Sequence, residues 1–102
     1  MFTDQELRII SDFKNYIGVY LTSWANWYIG IASSPETRLF TDHSVDRQSD
    51  KWVYSMPCIN ADSARKIEEY LIKTFNAKGD VGGGDNDTKY VYAYLITNHS
   101  RE

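Results

Sequence analysis

Six residues near the end of the chain alternate between aromatic and aliphatic side chains. The aromatic residues are Tyr90, Tyr92 and Tyr94, and the aliphatic residues are Val91, Ala93 and Leu95. Because successive side chains of a β-strand point to opposite faces, this pattern predicts a strand over Tyr90–Thr97 with one aromatic and one aliphatic face. Such a strand either completes a sheet or forms an interface, for instance in a homodimer.

The rest of the chain changes repeatedly between helical and extended patterns. Thr3 and Glu6 match a capping box at the start of a helix, and Ser23–Asn26 is a short turn that is expected to join two antiparallel strands. The predicted elements are a helix at about Asp4–Lys14, strands at Ile17–Thr22 and Trp27–Ile31, a helix from Pro35 to about Asp42, a strand at Lys51–Met56 and a helix from Asn60 or Asp62 to about Asn76. With the last strand, they give the order α-β-β-α-β-α-β. This order is typical of an α+β fold in which helices flank a small antiparallel or mixed β-sheet.

Length and composition limit the size of the fold and its partners. A chain of 102 residues, 42% of them hydrophobic, is expected to form one domain over residues 1–102. The single cysteine, Cys58, cannot form an internal disulfide, and no leader or long apolar run follows Met1. We therefore expect a soluble, cytoplasmic protein with no membrane partner. The formal charge of -3 disfavours nonspecific attraction to nucleic acid, so binding DNA would require a local basic face.

A carboxylate interrupts the apolar stripe of the helix that ends near Asn76. At about 100° per residue, Glu68 falls on the same side as the apolar residues of this helix. Those residues are Ala64, Ile67, Leu71, Ile72 and Phe75. An ionised carboxylate in such a stripe needs an ion pair, hydrogen bonds or a metal ion. An ion pair with Arg38, or a position at the rim of the stripe where the carboxylate reaches solvent, would stabilise the charge of Glu68 without implying a functional site.

Two tyrosines precede Arg38 and Glu68 on the predicted pair of strands. Taken alone, each is readily explained as a core aromatic residue with a hydrogen-bonded hydroxyl. The combined pattern consists of Gly18-Val19-Tyr20, then Tyr28-Ile29-Gly30, then Arg38 eight places after Gly30, and finally Glu68 within the helical segment Ile67–Lys73. In this order and spacing, the segment from Ile17 to Phe75 resembles the GIY-YIG nuclease superfamily.

The resemblance implies a metal-dependent endonuclease that hydrolyses phosphodiester bonds in DNA. Glu68 would bind one divalent cation, Mg²⁺ or Mn²⁺. Tyr20 and Tyr28 would position or deprotonate the attacking water, and Arg38 would steady the scissile phosphate. These residue types suit the chemistry, because Mg²⁺ prefers oxygen ligands and the planar guanidinium group matches a phosphate.

The chain departs from the family pattern at three places. Only seven residues separate Tyr20 from Tyr28, fewer than is usual in that family, so the predicted hairpin is tight. A histidine commonly follows the arginine by four places, but Asp42 stands there. His43, one place further on, is then the candidate base. In an α-helix its side chain would be turned by about 100° from the position of the family's histidine. Asp80 occupies the place of a polar residue, commonly asparagine, that follows the glutamate.

A second function is compatible with the same fold. A catalytically inactive domain would use its aromatic strands and its glycine-rich segment as a protein- or nucleotide-binding module. That segment, Gly79–Thr88, contains four glycines and three aspartates and is expected to be a loop.

Overall fold

The fold combines two long helices with three strands in the residues that the computed structural model describes, 1–80 and 84–102. In chain order these elements are α1 (Asp4–Gly18), β1 (Trp27–Ala32), β2 (Trp52–Tyr54), α2 (Ala61–Phe75) and β3 (Tyr90–Leu95). A short 3-10 turn (Trp24–Asn26) precedes β1, and a π-helical turn (Thr37–Asp42) follows it. This is a small α+β fold, as predicted. The predicted Gly79–Thr88 loop includes residues 81–83, which lie outside the described residues.

The last strand, β3, is the centre of the sheet. It pairs in antiparallel fashion with β1 on one side and with β2 on the other. The alternation predicted for β3 is confirmed, because Val91 and Ala93 join the aliphatic core whereas Tyr92 and Tyr94 join an aromatic cluster on the opposite face. Since both edges of β3 are paired, the strand completes the sheet, and a homodimer cannot form along its edges.

Each face of the sheet is covered by different elements. Helices α1 and α2 pack on the aliphatic face, and the π-helical turn packs on the aromatic face. The buried helix residues on the aliphatic face are Ile9, Ile10, Phe13, Ile17, Ala64, Ile67 and Leu71. On the aromatic face, Leu39 of the π-helical turn is fully buried. Leu7 of α1 does not belong to this buried face and is 51% exposed.

The predicted strand Ile17–Thr22 is wrong, and so is the hairpin that it was expected to form. Helix α1 continues to Gly18, and the backbone amide of Tyr20 then donates to the carbonyl of Ile17 at 3.2 Å. The reason is that Ile17 follows Phe13 by one helical turn and is fully buried beside it. Burial in the core thus outweighs the weak helix propensity of the β-branched residues.

The other predicted elements are present, with different bounds. Strand β2 covers only the middle of the predicted Lys51–Met56 strand. Asn60 caps α2, since its side-chain oxygen accepts from the amide of Ser63 at 2.8 Å. The capping box of α1 also forms, with the Thr3 amide donating to Glu6 at 2.7 Å. None of the helices in residues 1–80 and 84–102 is long and apolar enough to cross a membrane.

A short parallel connection covers the outer edge of β1. The amide of Ile29 donates to the carbonyl of Lys78 at 2.8 Å, and the amide of Lys78 donates to the carbonyl of Trp27 at 2.9 Å. Gly79 follows with a φ of 147°, a conformation that favours glycine. A side chain there would also collide with the carbonyl oxygen of Ile29. After this turn, Asp80 reaches a cleft that is also lined by Glu68 of α2 and by Tyr28 and Gly30 of β1.

Candidate functional site

A cleft of about 200 Å³ lies between α2, the π-helical turn and the edge of β1. The described residues that line it are Tyr28, Gly30, Ile31, Arg38, Glu68, Asp80, Gly84 and Tyr92. Three residues singled out in the sequence, Tyr28, Arg38 and Glu68, therefore meet at one place although they come from three different elements. The cleft also contains two side chains, those of Asp80 and Tyr92, that the sequence did not assign to the site.

The acidic side of the cleft is formed by Glu68 and Asp80. Glu68 lies on the face of α2 that packs toward the sheet and is only 1% exposed, whereas Asp80 is exposed. Among residues 1–80 and 84–102, no group of three or more His, Cys, Asp or Glu side chains is close enough to hold a metal ion. Mg²⁺, however, needs only one or two protein carboxylates and otherwise binds waters and substrate phosphates. Two carboxylates with phenol oxygens nearby are a donor set that fits Mg²⁺ or Mn²⁺.

Arg38 forms the basic side of the cleft. Its guanidinium donates to the carboxylate of Asp42 at 3.1 Å, one turn further along the same element. The Arg38 side chain remains 45% exposed. This arrangement orients the guanidinium but leaves it accessible to an anion in the cleft.

Tyr92 reaches the cleft because Gly30 has no side chain. These two residues are directly opposite each other in the pairing of β1 with β3. A Cβ atom at Gly30 would collide with Cζ and Oη of Tyr92, and even Cε2 would lie only 2.7 Å away. The phenol ring thus crosses over Gly30 and places its hydroxyl end at the cleft. The alternation in β3 predicted the face of Tyr92, but its position opposite Gly30 depends on the register of two distant strands.

The π-helical turn places His43 differently from the position that an α-helix predicted. The amide of His43 donates to the carbonyl of Arg38 at 2.8 Å, five residues earlier, whereas an α-helix would join residues four apart. The wider turn absorbs the extra residue between Arg38 and His43. The expected rotation of His43 away from the site therefore does not occur, and its imidazole lies next to Tyr92.

His43 is buried and held at both ring nitrogens. Its Nδ1 contacts the carbonyl oxygen of Arg101, and its Nε2 lies 2.7 Å from the hydroxyl of Tyr92. A carbonyl can only accept, so this network assigns the proton of the neutral ring to Nδ1. Nε2 is then an acceptor, and the Tyr92 hydroxyl donates to it. Burial lowers the pKa of His43, which keeps the imidazole neutral near pH 7.

Tyr28 is part of a stack of aromatic rings behind the cleft. Its ring centroid lies 5.4 Å from that of Tyr94 and 6.4 Å from that of Tyr92, with nearly parallel planes in both cases. Burial, together with the nearby carboxylate of Asp80, raises the pKa of Tyr28. Burial also raises the pKa of Tyr92 to about 12, against the opposing effect of the Arg38 guanidinium. Both phenols are therefore protonated at neutral pH, and neither is a free phenolate base.

Tyr20 does not belong to the cleft, which corrects its predicted catalytic role. Its ring packs 5.3 Å from that of Tyr16 and 5.9 Å from that of Trp27. Trp27 and Tyr28 are neighbours in β1 and therefore point to opposite faces of the sheet. Tyr20 lies on the face of Trp27, across the sheet from the cleft, because the segment predicted as its strand forms the end of α1 and the turn that follows it.

No family model, no curated protein and no solved structure matches this chain.

Proposed function

We propose that this protein is a metal-dependent phosphodiesterase that cleaves nucleic acid, with DNA as the expected substrate, in the manner of the GIY-YIG nucleases that its motifs resemble. The observation that carries this proposal is the convergence of Tyr28, Arg38 and Glu68 on one cleft. Residues that served only to fill the core would rarely converge from three separate elements on one open, polar cleft. The lone thiol of Cys58 is buried, and we propose that the protein works in the cytoplasm.

Glu68 and Asp80 would hold one Mg²⁺ or Mn²⁺ ion. When bound, the ion would stabilise the negative charge that develops on the phosphate and on the leaving oxygen. Glu68 suits this role because a carboxylate that is almost fully removed from water gains strongly from a nearby cation. The exposed side chain of Asp80 would complete the acidic side next to solvent.

The phosphate would be positioned by Arg38 and Tyr28. The guanidinium of Arg38 offers planar donors to two phosphate oxygens and stays charged at all relevant pH values. Its ion pair with Asp42 restricts its movement, so less entropy is lost when the phosphate binds. The protonated hydroxyl of Tyr28 would act as a donor that orients the attacking water or a phosphate oxygen.

Tyr92 takes the place that the resemblance gave to Tyr20, and His43 acts through it as the base. As a water oxygen forms its bond to phosphorus, a proton passes from that water to the Tyr92 oxygen while the Tyr92 proton passes to Nε2 of His43. The bond between phosphorus and the leaving sugar oxygen breaks, and that oxygen takes a proton from solvent. The contact of Nδ1 with the Arg101 carbonyl supports the imidazolium that forms.

The alternative, an inactive binding module, is favoured by one observation. The formal charge of -3 gives this chain little attraction for a polyanion. In that case the same cleft would bind a nucleotide-like ligand or a protein partner without cleaving it.

The test is cleavage of plasmid and single-stranded DNA in the presence of Mg²⁺, Mn²⁺ or a chelator. Glu68→Gln keeps the size of the side chain but removes its charge, and we expect it to lower the cleavage rate by about 100-fold or more. The matched control is Glu69→Gln, because Glu69 is the next residue of α2 and pairs with Lys73 at the surface. Circular dichroism checks that both variants are folded.

The outcomes separate the two candidate functions. Metal-dependent cleavage that is lost in Glu68→Gln and kept in Glu69→Gln supports the nuclease. Equal cleavage by wild type and Glu68→Gln, or no cleavage by wild type with either ion, overturns it.

A further inference from the structure

Two further cavities adjoin the cleft and extend it along the end of β1. The first, of about 400 Å³, shares Ile31 and Arg38 with the cleft. The second, of about 220 Å³, shares Ser33 and Ser34 with the first. We call the three cavities together the groove. It begins at Glu68 and ends at the pair Tyr54 and Tyr90.

The lining of the groove is polar but carries little positive charge. Its middle contains the hydroxyl residues Ser33, Ser34, Thr37 and Thr88. In the described part of the chain, Arg38 is the one cationic residue that lines any of the three cavities. At the far end, Glu36 is neutralised by Arg47, whose guanidinium lies 2.7 Å from its carboxylate. Hydroxyl groups bind the sugar–phosphate backbone by hydrogen bonds, without requiring a strong positive field.

The far end of the groove has an aromatic side chain, that of Tyr54, which packs against two other aromatic rings. Tyr54 stacks on Trp52 with ring centroids 6.0 Å apart and planes at 15°, and the ring of Tyr90 meets it edge to face at 6.4 Å. Trp52 is in turn held by a hydrogen bond of 3.0 Å from its indole nitrogen to the carbonyl of Arg47. Tyr54 is still 36% exposed. A partly exposed aromatic ring packed on a sheet is the kind of platform on which nucleic-acid bases stack.

We infer that the groove binds a single strand of nucleic acid, with a phosphate at Arg38 and a flanking base stacked on Tyr54. This inference rests on the proposed function and names its substrate class. A duplex presents two charged backbones and hides the faces of its bases, so its binding depends on several cationic side chains. A single strand exposes its bases, and stacking can then replace charge as the source of affinity.

The test is binding of fluorescently labelled oligonucleotides of about twelve nucleotides, measured by anisotropy in a chelator so that no strand is cut. The probes are one single-stranded DNA, the RNA of the same sequence and the corresponding DNA duplex. We expect wild type to bind at least one of the single strands more tightly than the duplex. Which single strand binds better distinguishes DNA from RNA as the ligand.

Tyr54→Leu removes the aromatic ring and Tyr54→Phe retains it, so the second variant is the matched control. Loss of one stacked base should weaken single-strand binding by roughly 5- to 100-fold in Tyr54→Leu. Tyr54→Phe should stay within about twofold of wild type, and duplex binding should change little in either variant. Tighter binding of the duplex than of both single strands, or unchanged single-strand binding by Tyr54→Leu, overturns the inference.

Glu68→Gln keeps the failure of this inference separate from the failure of the proposed function. If Glu68→Gln loses cleavage and Tyr54→Leu loses single-strand binding, both proposals stand. If wild type cleaves DNA but Tyr54→Leu binds single strands normally, the inference fails while the proposed function stands. If binding depends on Tyr54 but no metal-dependent cleavage occurs, the groove is a binding site and the nuclease proposal fails.

Discussion

The absent side chain of Gly30 gives room to the phenol ring of Tyr92, and this single contact shapes the cleft. We predict that Gly30→Ala moves Tyr92 away from His43, because the new Cβ would occupy the position of the ring. Such overpacking should lower the free energy of unfolding by about 1–3 kcal/mol. Urea denaturation measures that change, and the cleavage assay should show a parallel loss of activity.

Gly18 supplies the control for this prediction. It ends α1, and a Cβ built there meets nothing within 4 Å. Gly18→Ala should therefore leave activity unchanged and raise the free energy of unfolding by about 0.4–1 kcal/mol, since alanine restricts the unfolded chain more than glycine does. If Gly30→Ala were as stable and as active as Gly18→Ala, the close approach of Tyr92 to Gly30 would have no role in the site.

Single residues were predictable from the sequence where a local motif identified them. Glu68 stood out because a charge interrupts an apolar stripe, and the structure indeed buries it. Tyr92 could not be assigned to the site, because its partner Gly30 is distant in the chain and only the register of β1 with β3 brings the two together. Tyr20 was assigned wrongly, because its neighbours suit a strand locally whereas the burial of Ile17 extends the helix.

At the scale of elements, the π-helical turn shows how one extra residue is tolerated. The geometry of an α-helix predicted that His43 would point away from the site. The hydrogen bond from the His43 amide to the Arg38 carbonyl, five residues earlier, forms a wider turn that brings His43 next to Tyr92. The two long helices and the three strands of the sheet were predictable from residue periodicity, residue type and caps. The hairpin was not, because a short run of β-branched residues between apolar helical positions is ambiguous without knowledge of what covers it.

Helices α1 and α2 are tied together by the buried carboxylate of Glu6. It accepts from the Ser63 hydroxyl at 2.5 Å and pairs with Lys66 at 2.9 Å, in addition to capping its own helix. Burial alone would raise its pKa, but the bonds from Ser63, Thr3 and Lys66 outweigh burial and lower the pKa of Glu6 to about 2. The ionised form of Glu6 is thus more stable in the folded chain than in the unfolded chain.

We predict that Glu6→Gln lowers the free energy of unfolding at pH 7 by about 1–3 kcal/mol, because charge-assisted hydrogen bonds are lost. The sign of the pH dependence follows from the lowered pKa. The stabilisation by Glu6 is fully present above its ordinary pKa of 4.5 and is lost as the pH falls toward its folded value of about 2. The difference between wild type and Glu6→Gln should therefore shrink below about pH 4.5 in urea titrations.

The control for Glu6 is again Glu69→Gln, in the same pair of helices. The Glu69–Lys73 pair is exposed, with side chains 50% and 65% accessible. Pairs of this kind contribute at most about 0.5 kcal/mol, so the variant should unfold almost as wild type does at every pH. A Glu6→Gln effect that was equally small, or that did not change with pH, would contradict the role given to Glu6.

At the scale of the whole molecule, charge decides how this chain can hold a polyanion. The overall formal charge is -3. Among the described residues, the groove combines one cationic residue with hydroxyl groups and an aromatic platform. The total charge was known from the sequence, but its distribution was not. Binding to DNA was expected to require a local basic face. Several basic residues from the middle of the chain are engaged in surface ion pairs, as Arg47 is with Glu36 and Arg65 is with Asp62.

We therefore predict an unusually shallow salt dependence of single-strand binding. Each phosphate neutralised by a cationic side chain contributes a slope of about -0.7 to the plot of log affinity against log salt for a single strand. With Arg38 as the main contact, affinity should fall by less than about tenfold between roughly 50 and 200 mM salt. Anisotropy titrations of the wild type in chelator measure this slope, and Arg38→Gln should flatten it further. A fall of about 1,000-fold over that range would mean that several cationic side chains contact the strand, which would contradict a groove that binds mainly by hydroxyl contacts and stacking.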